Sequence, residues 1–328
     1  MWSDPEITYT LFFQGLKLRS NDRATNGRGA RRLGQKIGFV GLGAMGLPMS
    51  AGLAGAGHRL RVYDIDSGAR ERAAAIDGIT AVTDLAAVAA GAEVIFSCLP
   101  NDAILREAYL GPEGLAEAVA EGAITVDCST VSSKATQEIS AALRARGVAH
   151  LDAAMLGSVP QAETGEIGFV VGGEREAFEA VAPLLDVLGR FRIYAGGSGA
   201  ANRIKLIHQT LVAANAVAVG EALALCRATD TDLDCFYDVV CNGGGFAYSR
   251  YFEKRLPRMR AGDYSPLFML QFMKKDAALA RDLASEAGLD APLLDQVVRR
   301  FETALAEGLG AEDFSAVARL YERNGEGA

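Results

Sequence analysis

Three glycines, one acid and one lysine hold the residue types and spacings from which chemistry can be read. The segment Lys36-Ile-Gly-Phe-Val-Gly-Leu-Gly-Ala-Met-Gly46 sets Gly41, Gly43 and Gly46 after a short apolar run and at the opening of a helical pattern. Backbone N–H groups at a helix start attract a pyrophosphate, and bulky side chains there would keep it out. Gly41 permits the tight turn, Gly43 lets a phosphate approach and Gly46 lets helix and strand pack closely, with Leu42, Ala44 and Met45 completing the loop. A second apolar run, Arg59 to Tyr63, ends at Asp64, eighteen residues after Gly46. A carboxylate there binds ribose hydroxyls and repels a 2′-phosphate, which favours NAD over NADP. The alternative is an ordinary strand-to-helix turn with Asp64 capping the next helix.

Redox chemistry at an alcohol also needs a group to take the hydroxyl proton, and His, Lys or Tyr usually does so. His58 falls in a loop and His150 in a predicted strand, so both read as structural, while His208 lies one helical turn after Lys205. Lys205 sits within a stretch from Ala200 to Ala228 that is apolar on nearly every face. Desolvation there lowers a lysine pKa toward the working range of an acid or base. The competing reading is a lysine whose stem runs out to the surface.

From Lys36 onward, short apolar runs alternate with alanine-rich helical stretches, the pattern of a parallel sheet covered by helices. Strands are expected at 36–40, 59–63, 93–97, 123–127, 148–152 and 167–171. The alternation stops near Gly196 to Gly199, and helical pattern follows. The expected architecture is an α/β Rossmann-like dinucleotide-binding domain over 36–197, then an all-α domain over 198–328. An almost wholly apolar helix must be buried on most sides, in part by a second copy of the chain.

The composition narrows the class. With 328 residues, half of them hydrophobic, the chain can bury two cores. A net charge of -8 and the lack of a long basic run argue against nucleic acid as a partner. Five scattered cysteines lack the paired spacing of a zinc site or disulfide framework, so no metal is expected and a reducing cytoplasm fits. Charges and glycines are expected to interrupt every stretch long enough for a membrane span. A secretory leader needs a longer apolar run than Leu11 to Phe13, and Asp4, Glu6 and Asp22 sit poorly in an Arg-rich transit peptide. Residues 1–35 are therefore expected to be a dispensable, disordered extension.

Taken with further motifs, the chain resembles the β-hydroxyacid dehydrogenase family, which includes 3-hydroxyisobutyrate, tartronate semialdehyde and L-threonate dehydrogenases. The likeness runs from about Lys36 to Tyr321. Ser97-Cys-Leu-Pro-Asn101 resembles the family's cofactor-contacting step and implicates Leu99 and Pro100; Asp127-Cys-Ser-Thr-Val-Ser132 is similar to its strand-ending segment, which points to Ser129 for substrate and Thr130 for cofactor. Leu151-Asp-Ala-Ala-Met-Leu-Gly-Ser158 resembles its substrate loop, with Gly157 and Ser158 as donors. By the same resemblance Lys205 is the catalytic lysine, Gln209 a substrate-binding amide, Lys275 a cofactor contact and Asp276 its support. Without that likeness Lys274, Lys275 and Asp276 would read as a solvated helix face.

Three departures stand out: His208-Gln209 replaces a common Asn-Asn, Ala201 a frequent glycine, and Ala154-Met155 the usual Pro-Val. The first is closer to the L-threonate type. The resemblance implies an NAD-dependent enzyme acting on a small hydroxy acid, 3-hydroxyisobutyrate-like, soluble and a dimer or tetramer. Two other readings share the fold: an imine reductase, which generally carries another residue at the lysine position, and a non-catalytic dinucleotide-binding scaffold, which has lost it. The Gly243-Gly-Gly-Phe-Ala-Tyr-Ser-Arg250 segment reads equally as a closing loop or a helix-breaking turn, and Cys128 as a structural thiol.

Overall fold

The computed structural model describes residues 34–321, so the expectation of disorder before Gly34 lies outside the described residues. Eight strands among them form one sheet: β1 Lys36–Val40, β2 Arg59–Tyr63, β3 Ile79–Ala81, β4 Val94–Ser97, β5 Ile124–Asp127, β6 Ala149–Leu156, β7 Ile167–Gly172 and β8 Gly189–Gly196. Their order is β3-β2-β1-β4-β5-β6-β7-β8. Strand β1 pairs with β2 on one side and β4 on the other, so the chain winds outward in two directions from one crevice. Ligands of open α/β sheets bind in such a crevice, beyond the carboxyl ends of the strands.

The apolar runs become strands because helices cover both faces, which rewards unbroken rather than alternating hydrophobicity. One face buries Ile37, Phe39, Leu53, Val62 and Leu188 together. The other buries Val40, Ile95, Tyr109, Ile139 and Leu143. Each such side chain contributes roughly 1.5–3 kcal/mol by leaving water.

The sheet differs from the expected all-parallel pattern at one place. Strands β6 and β7 run antiparallel, Asp152 facing Gly172 and Leu156 facing Gly168. Only the short helix Val159–Thr164 separates them, too little chain for the crossover that parallel pairing demands. Strands β3 and β8 escape the sequence reading, because β3 has three residues and β8 alternates charged and partly exposed positions.

After Gly196 the described chain is helical, beginning with Ala200–Ala228 and including Leu233–Asn242, Arg250–Arg260, Leu270–Glu286 and Pro292–Ala306. The first of these is, by length and composition, apolar enough to cross a membrane, contrary to the expectation for every stretch of the chain. Its residues Leu206, Ala213, Ala216 and Val217 pack instead with Met273, Val298, Phe301 and Phe314 in a core of their own. Gly243 to Ser249 is a turn between two helices, with Ser249 Oγ capping the second through the N–H of Phe252.

Candidate active site

The glycine turn follows β1 and opens the helix Gly46–Gly55 at the crevice. Gly41 has φ +92°, and a Cβ there would meet the Cys98 carbonyl oxygen at 2.3 Å. A Cβ on Gly46 would meet the Gly41 carbonyl oxygen at 1.9 Å, whereas one on Gly43 would enter open space. The first and third glycines thus serve packing, and the second keeps a cradle clear. The Leu42 N–H donates to Asp64 Oδ2 at 2.7 Å, so the acid at the end of β2 also pins the turn. Asp66, not Asp64, caps the helix Ser67–Ala74, accepting from the N–H groups of Gly68 and Ala69. A cradle that only glycine leaves open, beside a helix start and a carboxylate at the next strand end, fits a dinucleotide.

Across the crevice, β4 ends in Cys98, Leu99 and Pro100. The Leu99 N–H donates to Ser129 Oγ at 2.8 Å, and that hydroxyl in turn donates to Asp127 Oδ1 at 2.6 Å. Ser97 Oγ and the Ser129 N–H donate to the same carboxylate oxygen, at 2.7 and 3.2 Å. Burial pushes the Asp127 carboxyl up to about 6, with the serine hydrogen bonds opposing the shift. Asp127 therefore fastens the ends of β4 and β5 together. Both donors of Ser129, the residue expected to grip substrate, are engaged within this knot. Ser158 is similar: its N–H and hydroxyl both donate to Gln161 Oε1, each at 2.9 Å. Among the described residues, the Thr130 hydroxyl and the Gly157 N–H remain without such partners.

Lys205 emerges from the second turn of Ala200–Ala228 and is buried. Its Nζ donates to the Met155 carbonyl oxygen at 2.9 Å. Desolvation lowers its pKa, the Asp276 charge opposes that shift and the Lys275 charge adds to it. Three residues before Met155 on the same strand, Asp152 accepts from the N–H of Gly199 at 2.9 Å and of Asn202 at 3.0 Å. Strand β6 thus holds both the start of the helix and its lysine. Gly172 makes room for this, since a Cβ there would lie 2.6 Å from Asp152 Oδ1. Asn202 extends the tie, its Oδ1 accepting from the Val131 N–H and its Nδ2 donating to Thr136 Oγ1.

The helix Leu270–Glu286 closes the third side. Lys275 Nζ donates to the Thr130 carbonyl oxygen and stands 3.1 Å from Asp276 Oδ1. Gln209 Nε2 donates to Asp276 Oδ2 at 2.7 Å, so this amide also has a partner within the chain. His208 Nδ1 lies 3.2 Å from Gln209 Oε1. The structure brings Lys205, Gln209, Lys275, Asp276 and Thr130 into one group, and Leu99, Pro100 and the glycine turn into another at the strand ends. Sequence reading misses the roles of Asp127, Asp152 and Asn202. The available signal is an acid at the end of β5 and another on β6, placed like Asp64 on β2. Cys128 is fully buried, as the structural reading expects. So is His150, bonded through Nδ1 to Thr125 Oγ1 at 2.8 Å.

Comparison with known proteins agrees with this arrangement. Residues 36–197 match the NAD-binding domain of 6-phosphogluconate dehydrogenase, and residues 199–321 the NAD-binding domain of NADP-dependent 3-hydroxyisobutyrate dehydrogenase. An NAD-dependent L-serine dehydrogenase of Pseudomonas aeruginosa is 33% identical over 300 residues, covering 88% of this chain and 98% of that protein. The chain belongs to the β-hydroxyacid dehydrogenase family. It is accordingly an NAD-dependent dehydrogenase acting on the CH–OH group of a hydroxy acid. An L-threonate dehydrogenase of Escherichia coli is 32% identical over 288 residues, covering 87% of this chain and 94% of that protein. Among solved structures, a 3-hydroxyisobutyrate dehydrogenase from Salmonella typhimurium superposes with a TM-score of 0.77 at 30% identity, over 87% of this chain and 99% of that one.

Proposed function

We propose that this chain interconverts a small β-hydroxy acid and its carbonyl form with Lys205 as the acid–base group. The observation that carries the reading is the placement of Lys205: a buried amine fixed to Met155 O at 2.9 Å and near enough to Asp276 and Lys275 for their charges to act on it, Lys275 in turn bonding the Thr130 carbonyl. NAD, when bound, supplies the two-electron acceptor. In oxidation Lys205 Nζ takes the proton from the substrate hydroxyl oxygen, and in reduction it returns that proton. Burial favours the neutral amine that this step requires, while Asp276 keeps the ammonium from being lost outright. The Thr130 hydroxyl and the Gly157 N–H hold the substrate carboxylate. Ser129 and Ser158 stand behind them and fix the backbone from which they project.

In this reading residues 36–197 form the NAD-binding domain and residues 198–328 a helical domain for substrate and dimerisation. Asp64 sets the preference for NAD, its carboxylate lying where a 2′-phosphate would be repelled. Exposed Ile204, Ile207, Leu211 and Leu225 form an apolar ridge on the long helix, which a second copy covers in a homo-oligomer. Five unpaired cysteines suit a reducing cytoplasm. The retained lysine favours this reading over an imine reductase or a scaffold.

The test is to incubate the protein with NAD and a panel of three- and four-carbon hydroxy acids, and separately with NADH or NADPH and cyclic imines, following absorbance of the reduced nicotinamide. Turnover of hydroxy acids alone is expected. Turnover of imines alone, or of nothing, contradicts the reading.

A further inference from the structure

One peptide group just beyond β5 is gripped from both of its sides. The C=O of Thr130 and the N–H of Val131 belong to the same peptide, and in a trans peptide they point in opposite directions. Lys275 Nζ, on the helix Leu270–Glu286, donates to that carbonyl oxygen. Asn202 Oδ1, on the helix Ala200–Ala228, accepts from that N–H at 3.3 Å. Two helices that follow the sheet in sequence thus hold one peptide plane between them.

The amide of Asn202 has a single orientation that serves. The Val131 N–H can only donate, so Oδ1 must face it and the NH2 must face Thr136 Oγ1, 3.1 Å away. That hydroxyl gives its hydrogen to the Ser132 carbonyl oxygen at 3.3 Å and keeps a lone pair for the NH2. Asn202, Val131 and Thr136 are all fully buried. Packing alone gives no reason to bury an amide there, because an apolar side chain of the same shape carries no desolvation cost. A buried N–H without an acceptor does carry one, so the peptide explains the residue type.

The clamp closes a ring around the acid–base group. Asn202 and Lys205 lie three residues apart, on one face of their helix. Burial first, and the Lys275 charge with it, lower the basicity of Lys205, while Asp276 opposes them. His208, one turn further along the helix, also titrates and feels the Lys205 charge. We propose that Asn202 is a positioning residue of the active site: by holding the Val131 N–H it fixes the Thr130–Val131 peptide plane, and with it the Thr130 side chain and the seat of the Lys275 ammonium. This inference goes beyond the dehydrogenase reading but rests on it, since it takes Lys205 as the acid–base group.

The test follows the pH dependence of kcat/KM at saturating NAD, with whichever of 3-hydroxyisobutyrate, L-serine and L-threonate turns over fastest, in the wild type, Asn202→Leu and Thr136→Val. Leucine fills the space of the amide without offering an acceptor. Thr136→Val removes a hydrogen bond from the same buried amide and leaves the peptide held, so it controls for a merely structural role. In Asn202→Leu, kcat/KM is expected to fall roughly 10–100-fold, and the inflection to move up toward the ordinary lysine value as the Lys275 charge leaves its seat. Thr136→Val should lower the Tm yet keep both rate and inflection near those of the wild type. NADH binding followed by fluorescence establishes that each variant is folded, and Asn202→Ala, which also lacks the acceptor, is read in place of Asn202→Leu if that variant does not bind. An inflection kept at its wild-type position when the acceptor is removed, or a shift of the same size in Thr136→Val, overturns the inference alone. A wild-type inflection that survives in Lys205→Ala overturns the acid–base reading and this inference with it.

Discussion

The glycine turn and the lysine pocket lie at the same end of the sheet yet are built on opposite principles. The turn is made of backbone, is local in sequence and depends on what is missing, since Gly41 and Gly46 leave no room for a Cβ. The pocket is made of side chains and is assembled from distant segments: Met155 on β6, Lys205 and Gln209 on one helix, Lys275 and Asp276 on another. Backbone donors hold a cofactor of fixed shape. A desolvated amine needs neighbours that set its charge and its aim. Lesions in the two regions should therefore separate binding of the cofactor from turnover.

The largest effect is expected where the pocket is emptied of its amine. Lys205→Ala should lower kcat by about 10²–10⁴ while the NADH dissociation constant, read by fluorescence, changes little. A comparable loss of cofactor affinity would merge the two regions into one.

A second effect belongs to the knot beside the turn. Asp127 has its carboxyl raised from 3.8 to about 6 by burial, so its contribution to stability is full below pH 4 and is lost as pH rises through about 6. Between those limits the loss is roughly 3 kcal/mol. Thermal unfolding followed from pH 4 to 7 should show that fall in the wild type and a shallower one in Asp127→Asn. Equal slopes would mean that the carboxyl titrates alike folded and unfolded.

The smallest effect concerns the tie between the regions. Asp152→Asn loses the charge that binds the N–H groups of Gly199 and Asn202, and stability should drop by roughly 2 kcal/mol. Because β6 also holds Lys205 through Met155, kcat should fall about tenfold with cofactor affinity retained. A change in NADH affinity without one in kcat would assign Asp152 to the turn instead.

The same contrast explains what the sequence discloses. Gly41, Gly43, Gly46 and Asp64 are legible because one strand-turn-helix-strand unit contains them all, at a spacing set by that unit. Lys205 is legible as a charge on an apolar helix, but its partner is a carbonyl oxygen, to which any residue type could have contributed. Ser129 and Ser158 are recognisable as donors, and only the fold reveals that Asp127 and Gln161 already engage them. The antiparallel pairing of β6 with β7 is hidden for a related reason: both orientations bury the same apolar run, and connection length decides between them.

The account depends most on the depressed basicity of one amine, and the pH dependence of kcat/KM for hydroxy-acid oxidation at saturating NAD measures it directly. The rate should rise with pH as Lys205 loses its proton, with an inflection below the ordinary value of 10.5, and Lys205→Ala should abolish that inflection. An inflection at or above 10.5, or one unchanged in Lys205→Ala, would contradict the assignment of Lys205 as the acid–base group.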